Sequence, residues 1–281
     1  MKILVALDTK EYSKNILKDV ARLAKNTWAD LVFLGIQGKK SKKPDSELVN
    51  TLFKYQQDVF NYFGPEDLPY KSFETRTLEP AGKGIWSASS KGMKSFTIRI
   101  GSSNIAKQIV AAATDTACDL IVMGCSGKLG CEWEGEMSVP LRVAEDAPCS
   151  VLVIKEPRSP KQIVSILDQS KISQDSLELI NQLVTLHEAG LKIVGLKDSK
   201  GSKGDEEKKI VELLKYYNDR EISAWVKLLD STALKDYVAT SSREAIVALW
   251  MGKKSLIKKL FSQSLVDKLL ENTRSSVLIL R

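Results

Sequence analysis

The chain has 281 residues, 43% hydrophobic and 27% charged, which suits a globular protein of up to two ordinary domains and excludes wholesale disorder. Its net charge of +7 is spread out: residues 1–156 hold 21 basic and 19 acidic side chains and the remainder 21 and 16, with lysines mixed among acids in "GKKSKKPD" and "DSKGSKGDEEKK". That pattern lacks a basic stripe with interleaved aromatics and disfavours nucleic acid as a partner.

The opening "MKILVALDTKEYS" has one basic residue and five apolar ones before Asp8. That is too little for a signal peptide or a membrane span, so a cytoplasmic location without a membrane partner is expected. "ILVALD" reads as a β-branched strand ending at Asp8, followed by a helix with Ile16, Val20 and Leu23 at helical spacing. A second strand, "LVFLGIQ", carries Gly35 and Ile36 near its end. Residues 63–96, rich in glycine, serine and proline, read as irregular and as either a functional flap or a mobile insertion. "IAKQIVAAATDTAC" then reads as a helix and "DLIVMG" as a strand that runs into Gly124, Gly127 and Gly130.

The remaining chain repeats this plan. "KQIVSILDQSKISQDSLELINQLVTLHEAGLKIVGLKDSK" resembles the first forty residues; Asp8 and Asp168 are 160 positions apart, and so are Gly35 and Gly195. Leu179, Leu183 and Leu186 mark the helix of the second copy, with His187 near its end as a surface residue. "APCSVLVIKE" pairs with "TRSSVLILR", and the first copy carries about 34 extra residues, which the region 63–96 accounts for. Strands alternating with helices predict α/β architecture: two tandem, doubly wound, parallel five-stranded sheets, over 1–156 and 161–281. In such sheets ligands bind beyond the carboxyl ends of the strands, where Asp8, Gly35 and Gly124 lie.

With "ILVALD", "VFLGIQ", "IRIGSSNIAKQIVAAA", "DLIVMGCSG" and "SVPLRVAEDAPCSVLVIK" in this order, residues 1–156 outside the insertion resemble a universal stress protein domain. The second half matches in plan but in few diagnostic residues. The resemblance implies ATP or another adenine nucleotide held by the pattern G-x-x-G-x9-G-[S/T], whose glycines let backbone N–H groups approach phosphate. Gly124 and Gly127 fill its first two positions and Ser138 and Val139 follow the third, which is Met137 instead of glycine. The same resemblance puts Asp8 near the ribose and Ile36 and Met123 around adenine and sugar. Met137, with Glu132, Glu134 and Glu136 against a single Lys128, leaves two readings: a phosphate tail held differently, through a metal ion such as Mg2+, or none. In the second copy Gly252 matches the first glycine, but Ser255 and Leu265-Val266 replace the others, so that site reads as lost, with Asp168 a strand-end or capping residue.

Lys128 is followed by Leu129, so the loop is no Walker sequence, and no acid/base pair stands out; at most slow ATP hydrolysis is expected. Four cysteines without a C-x-x-C pair and one histidine argue against a zinc or di-metal hydrolase. Cys125 and Cys131 flank the loop and are expected as reduced thiols, a redox pair being the alternative. Two function classes compete, a nucleotide-binding stress-response module acting through conformation or assembly and a ligand-free scaffold of the same fold. By the family resemblance, the strands "SVLVIK" (150–155) and "SVLILR" (276–281) are expected to pair within the chain, leaving other surfaces for any homodimer.

Overall fold

The computed structural model describes residues 1–37, 43–64, 66–125, 133, 139–155, 160–167, 173–197, 203–230, 233–241, 245–250 and 275–281. The chain divides into two compact units, Met1–Pro157 and Arg158–Arg281.

In the first unit, β1 (Lys2–Leu7), β2 (Asp30–Gln37), β5 (Ser95–Ser102), β6 (Leu120–Gly124) and β7 (Ser150–Ile154) form the parallel part of a sheet in the order β7-β6-β1-β2-β5. Numbered within the unit, that is the order 3-2-1-4-5. The chain lays down β1, β2 and β5 in one direction, then returns to place β6 on the other side of β1. Ile3, Leu4, Val5, Leu31, Phe33, Ile121 and Val122 are all buried, as expected of strands covered on both faces.

The helices of this unit are α1 (Glu11–Asn15), α2 (Leu17–Thr27), α3 (Ser46–Phe60), α4 (Ile105–Thr116) and α5 (Val139–Asp146). Asp45 caps α3 by accepting from the Leu48 N–H at 3.0 Å, and Asn104 caps α4 by accepting from the Lys107 N–H at 3.2 Å. On α2 the predicted face, Ile16, Val20 and Leu23, is 1–2% exposed, with Ile16 at the joint between α1 and α2.

The segment 63–96 is more ordered than its composition suggests. It contains β3 (Glu79–Gly82) and β4 (Ile85–Lys91), an antiparallel extension in which β4 pairs with β5 and β3 with β4. The first unit thus keeps the expected five parallel strands and adds two antiparallel ones. An aromatic cluster fastens this extension: Tyr70 stacks on Phe60 at 5.7 Å, meets Phe96 edge-on at 5.6 Å, and donates its hydroxyl to the Ala29 carbonyl at 2.7 Å. Gly84, in the β3–β4 turn at φ 71°, sits where a Cβ would lie 2.6 Å from Ser102 Oγ. Both the backbone angle and the space there call for glycine.

The second unit contains β8 (Gln162–Leu167), β9 (Gly190–Lys197), β10 (Ala224–Asp230), β11 (Ala245–Trp250) and β12 (Ser276–Leu280). All are parallel, in the order β10-β9-β8-β11-β12, again 3-2-1-4-5 within the unit. Among the described residues its helices are α6 (Gln174–His187), α7 (Lys203–Asn218) and α8 (Leu234–Ser241). Leu179, Leu183 and Leu186 on α6 are buried, and His187 closes the helix at a half-buried position. The ends of α2 and α6 are built alike: Trp28 and Glu188 take left-handed angles, and the next N–H donates to Ala24 and Val184 respectively. A surface cluster ties α6 to α7, in which Tyr216 donates to Glu178 at 2.9 Å and the Arg220 guanidinium lies 3.8 Å over the Tyr216 ring.

Candidate functional site

The first unit's strand order reverses direction between β1 and β6, so a crevice is expected beyond their carboxyl ends. The register brings specific residues there: Leu7 pairs with Gly35 and Ala6 with Met123, so Asp8 stands level with Ile36 on one side and Cys125 on the other. Asp8, Ile36, Met123 and Gly124 are therefore neighbours at the ends of three adjacent strands, all of them buried. Val139 is the first residue of α5 and is also buried. Gly127 and Ser138 lie outside the described residues, as do Met137, Cys131, Glu132, Glu134 and Glu136. So do Asp168, Gly252, Ser255 and Leu265-Val266, the counterparts in the second unit.

Asp8 is fully buried and its carboxylate is held locally. Oδ1 accepts from the Lys10 N–H at 2.9 Å and the Ser13 hydroxyl at 2.7 Å, and Oδ2 accepts from the Tyr12 hydroxyl. The Asp8 N–H in turn donates to Ser13 Oγ at 3.0 Å. This is an Asx-type turn that starts α1 directly after the strand. Oδ2 has a single protein donor in this set and retains acceptor capacity for a second.

Gly124 is required by packing. A Cβ there would lie 2.5 Å from the Tyr12 carbonyl oxygen, a backbone atom, and 3.2 Å from Ile16 Cγ2. The glycine lets the first turn after β1 cross the end of β6 at close range. Gly35 does the equivalent for α3, since its Cβ would meet Leu48 and Leu52 at 3.0 Å.

Sequence reasoning passed over the residues that complete this corner. Tyr12 and Ser13 follow Asp8 at four and five positions, a spacing that reads as an Asx turn once the strand end is fixed. Tyr55, on α3, donates to the Lys10 carbonyl at 3.4 Å. Burial first, then the Asp8 and Asp58 carboxylates, push its phenol up to about 12, so it stays a protonated donor at neutral pH. Trp133 is fully buried, and its indole N–H finds no acceptor among the described residues.

Cys125 continues β6 past Gly124, fully buried, its N–H donating to the Ile154 carbonyl at 3.1 Å. It is disulfide-bonded, which overturns the expectation of a reduced thiol there; Cys118 and Cys149 are not in disulfides. Among the described residues no group of three or more His, Cys, Asp or Glu side chains converges as a metal site. With Asp8 already taking three donors, the described donor set does not fit Mg2+ held by protein ligands alone. No helix among the described residues is long and apolar enough to cross a membrane.

Three comparisons bear on this arrangement. The sequence pattern of the Universal stress protein family matches residues 61–155. Universal stress protein Sll1654 from Synechocystis sp. is 32% identical over 161 residues, which cover 54% of this chain and 83% of that one. Universal stress protein MJ0531 from Methanocaldococcus jannaschii is 26% identical over 169 residues, covering 56% and 98%. The fold of the whole chain is shared with the crystal structure of a universal stress protein from Archaeoglobus fulgidus, at a TM-score of 0.62 and 12% identity, covering 100% of this chain and 96% of that one. With a relative above 30% identity matched over most of its length, the chain belongs to the universal stress protein family.

Proposed function

We propose that this protein is a stress-response module that binds ATP or another adenine nucleotide once per chain, in its first unit, and acts through conformation or assembly. One observation carries the reading: Asp8, Ile36, Met123 and Gly124 converge at the switch point of a 3-2-1-4-5 sheet, where open α/β sheets take their ligands. The glycine loop from Gly124 through Gly127 to Ser138 and Val139 supplies the phosphate end, and the spare capacity on Asp8 Oδ2 supplies a ribose acceptor. The second unit repeats the plan in tandem but keeps only the first loop glycine, Gly252, and serves as a structural partner. Nucleotide released by heat from the purified protein and resolved by ion exchange tests this; adenine nucleotide near one equivalent per chain is the expected result. Turnover on adding Mg2+ is expected to be slow or absent.

A second reading, a ligand-free scaffold, has its own support. The three donors on Asp8 and the Tyr12 carbonyl against Gly124 explain both residues by folding alone. Protein that releases no nucleotide and takes up none on dialysis against millimolar ATP would favour it.

Assembly follows from each unit taken separately. β7 ends the first unit's strand order and β12 ends the second's, and both are apolar along their length. An apolar terminal strand requires covering, and the pairing of 150–155 with 276–281 within one chain would cover both.

A further inference from the structure

Cys118 and Cys149 lie at the opposite end of the first unit's sheet from Gly124, where β6 and β7 begin. Cys118 follows the left-handed Ala117 that closes α4, and Cys149 immediately precedes β7. Because Leu120 pairs with Ser150, Cys149 stands level with Asp119 and one residue from Cys118 across the two strands. Neither cysteine is in a disulfide, and their Sγ atoms are 3.4 Å apart, within hydrogen-bond contact for sulfur. Cys118 is 6% exposed, whereas Cys149 is half-buried and gives the pair an accessible side.

We propose that Cys118 and Cys149 are a redox-active dithiol that a small peroxide oxidises to a disulfide, a modification site separate from the nucleotide crevice. The geometry needs little change, since a disulfide has its sulfurs about 2.05 Å apart and the two strand starts are already adjacent. The Cys149 hydrogen bond holds the Cys118 thiol below its ordinary value, against the opposing effects of burial and the Asp119 carboxylate. Backbone N–H groups of Cys118 and Leu4 act in the same direction. In this scheme Cys118 is the nucleophile and Cys149, with its sulfur 3.4 Å away, the resolving thiol.

The steps balance. The Cys118 thiolate attacks one peroxide oxygen, the O–O bond breaks, and the leaving hydroxide takes up the proton lost by the thiol, giving a sulfenic acid and water. Cys149 sulfur then attacks the Cys118 sulfur, the S–O bond breaks, and the departing hydroxide leaves as water with the Cys149 proton. One peroxide has been reduced to two waters, and two thiols oxidised to one disulfide. The bond closes a loop from the start of β6 to the start of β7 that contains the whole glycine segment and α5.

Full-length protein, treated with stoichiometric hydrogen peroxide, alkylated and mapped by mass spectrometry, tests the proposal. The expected result is a Cys118–Cys149 cross-linked peptide that dithiothreitol reverses, formed equally well in a Cys125→Ser, Cys131→Ser background. Cys149→Ser should stop at a Cys118 sulfenic acid trapped by dimedone, and Cys118→Ser should lower peroxide consumption at least tenfold. Recovery of both residues as alkylated thiols after treatment would overturn the proposal. So would a cross-link that joins either cysteine to another chain or to Cys125, or that disappears in the double-serine background.

Discussion

Gly124 and Gly35 both sit at strand ends, but what a methyl group would strike differs. At Gly124 it meets a backbone carbonyl at 2.5 Å, and at Gly35 the tips of two leucines at 3.0 Å. Backbone cannot move aside without shifting α1, so Gly124→Ala is expected to cost about 1–3 kcal/mol, and Gly35→Ala less. Urea denaturation of both variants measures the difference. Asp30 offers a separate test through pH. Burial alone would raise its carboxyl, but the Ser95 N–H at 2.7 Å and hydroxyl at 2.8 Å, with Lys94 and Lys2, outweigh that and hold it below the ordinary carboxylate value. A depressed folded-state value stabilises fully above the unfolded value of about 4 and is lost as pH falls through the folded one. The stability gap between wild type and Asp30→Asn should therefore be present at pH 7 and shrink in acid; it is small because the carboxylate is half in water. A gap that widened in acid would reverse the sign of the argument.

Among the elements, those with a strong apolar signal were legible. β1, β2, β6 and β7 are buried runs that end in turn residues, and α2 and α6 carry their leucines and valines at helical spacing. The antiparallel pair β3–β4 was not legible, for a physical reason. "EPAG" is fully exposed, and "IWSASSK" buries only Trp86 outright, so backbone pairing to β5 defines these strands without side-chain periodicity. What anchors them lies elsewhere in the sequence, in Phe60, Tyr70 and Phe96. Tyr70→Phe keeps the ring contacts but leaves the buried Ala29 carbonyl without its 2.7 Å donor, an expected loss of about 1 kcal/mol in thermal or urea unfolding. Tyr70→Ala also removes the rings' packing, for about 3–5 kcal/mol. In the candidate site, the strand ends and the glycines could be read from the sequence. The Asp8–Ser13–Tyr12 network could not, because it depends on where β1 stops and how tightly α1 then crosses Gly124.

For the whole chain, the proposed function makes the two units unequal: one shared plan, a nucleotide site proposed in the first unit alone, and terminal strands proposed to cover each other. Deleting Ser276–Arg281 should uncover residues 150–155, lower their protection from hydrogen exchange, and turn a well-behaved protein into an aggregating or strand-swapped one. Unchanged protection would remove the pairing from the account. Calorimetric titration of the full chain with ATP probes the single adenine-nucleotide site proposed at the β1–β6 switch point. One site per chain is expected, abolished in Gly127→Val while the variant's circular dichroism spectrum stays that of the wild type. Two equivalent sites per chain, or no binding heat in protein first stripped of nucleotide, would contradict it.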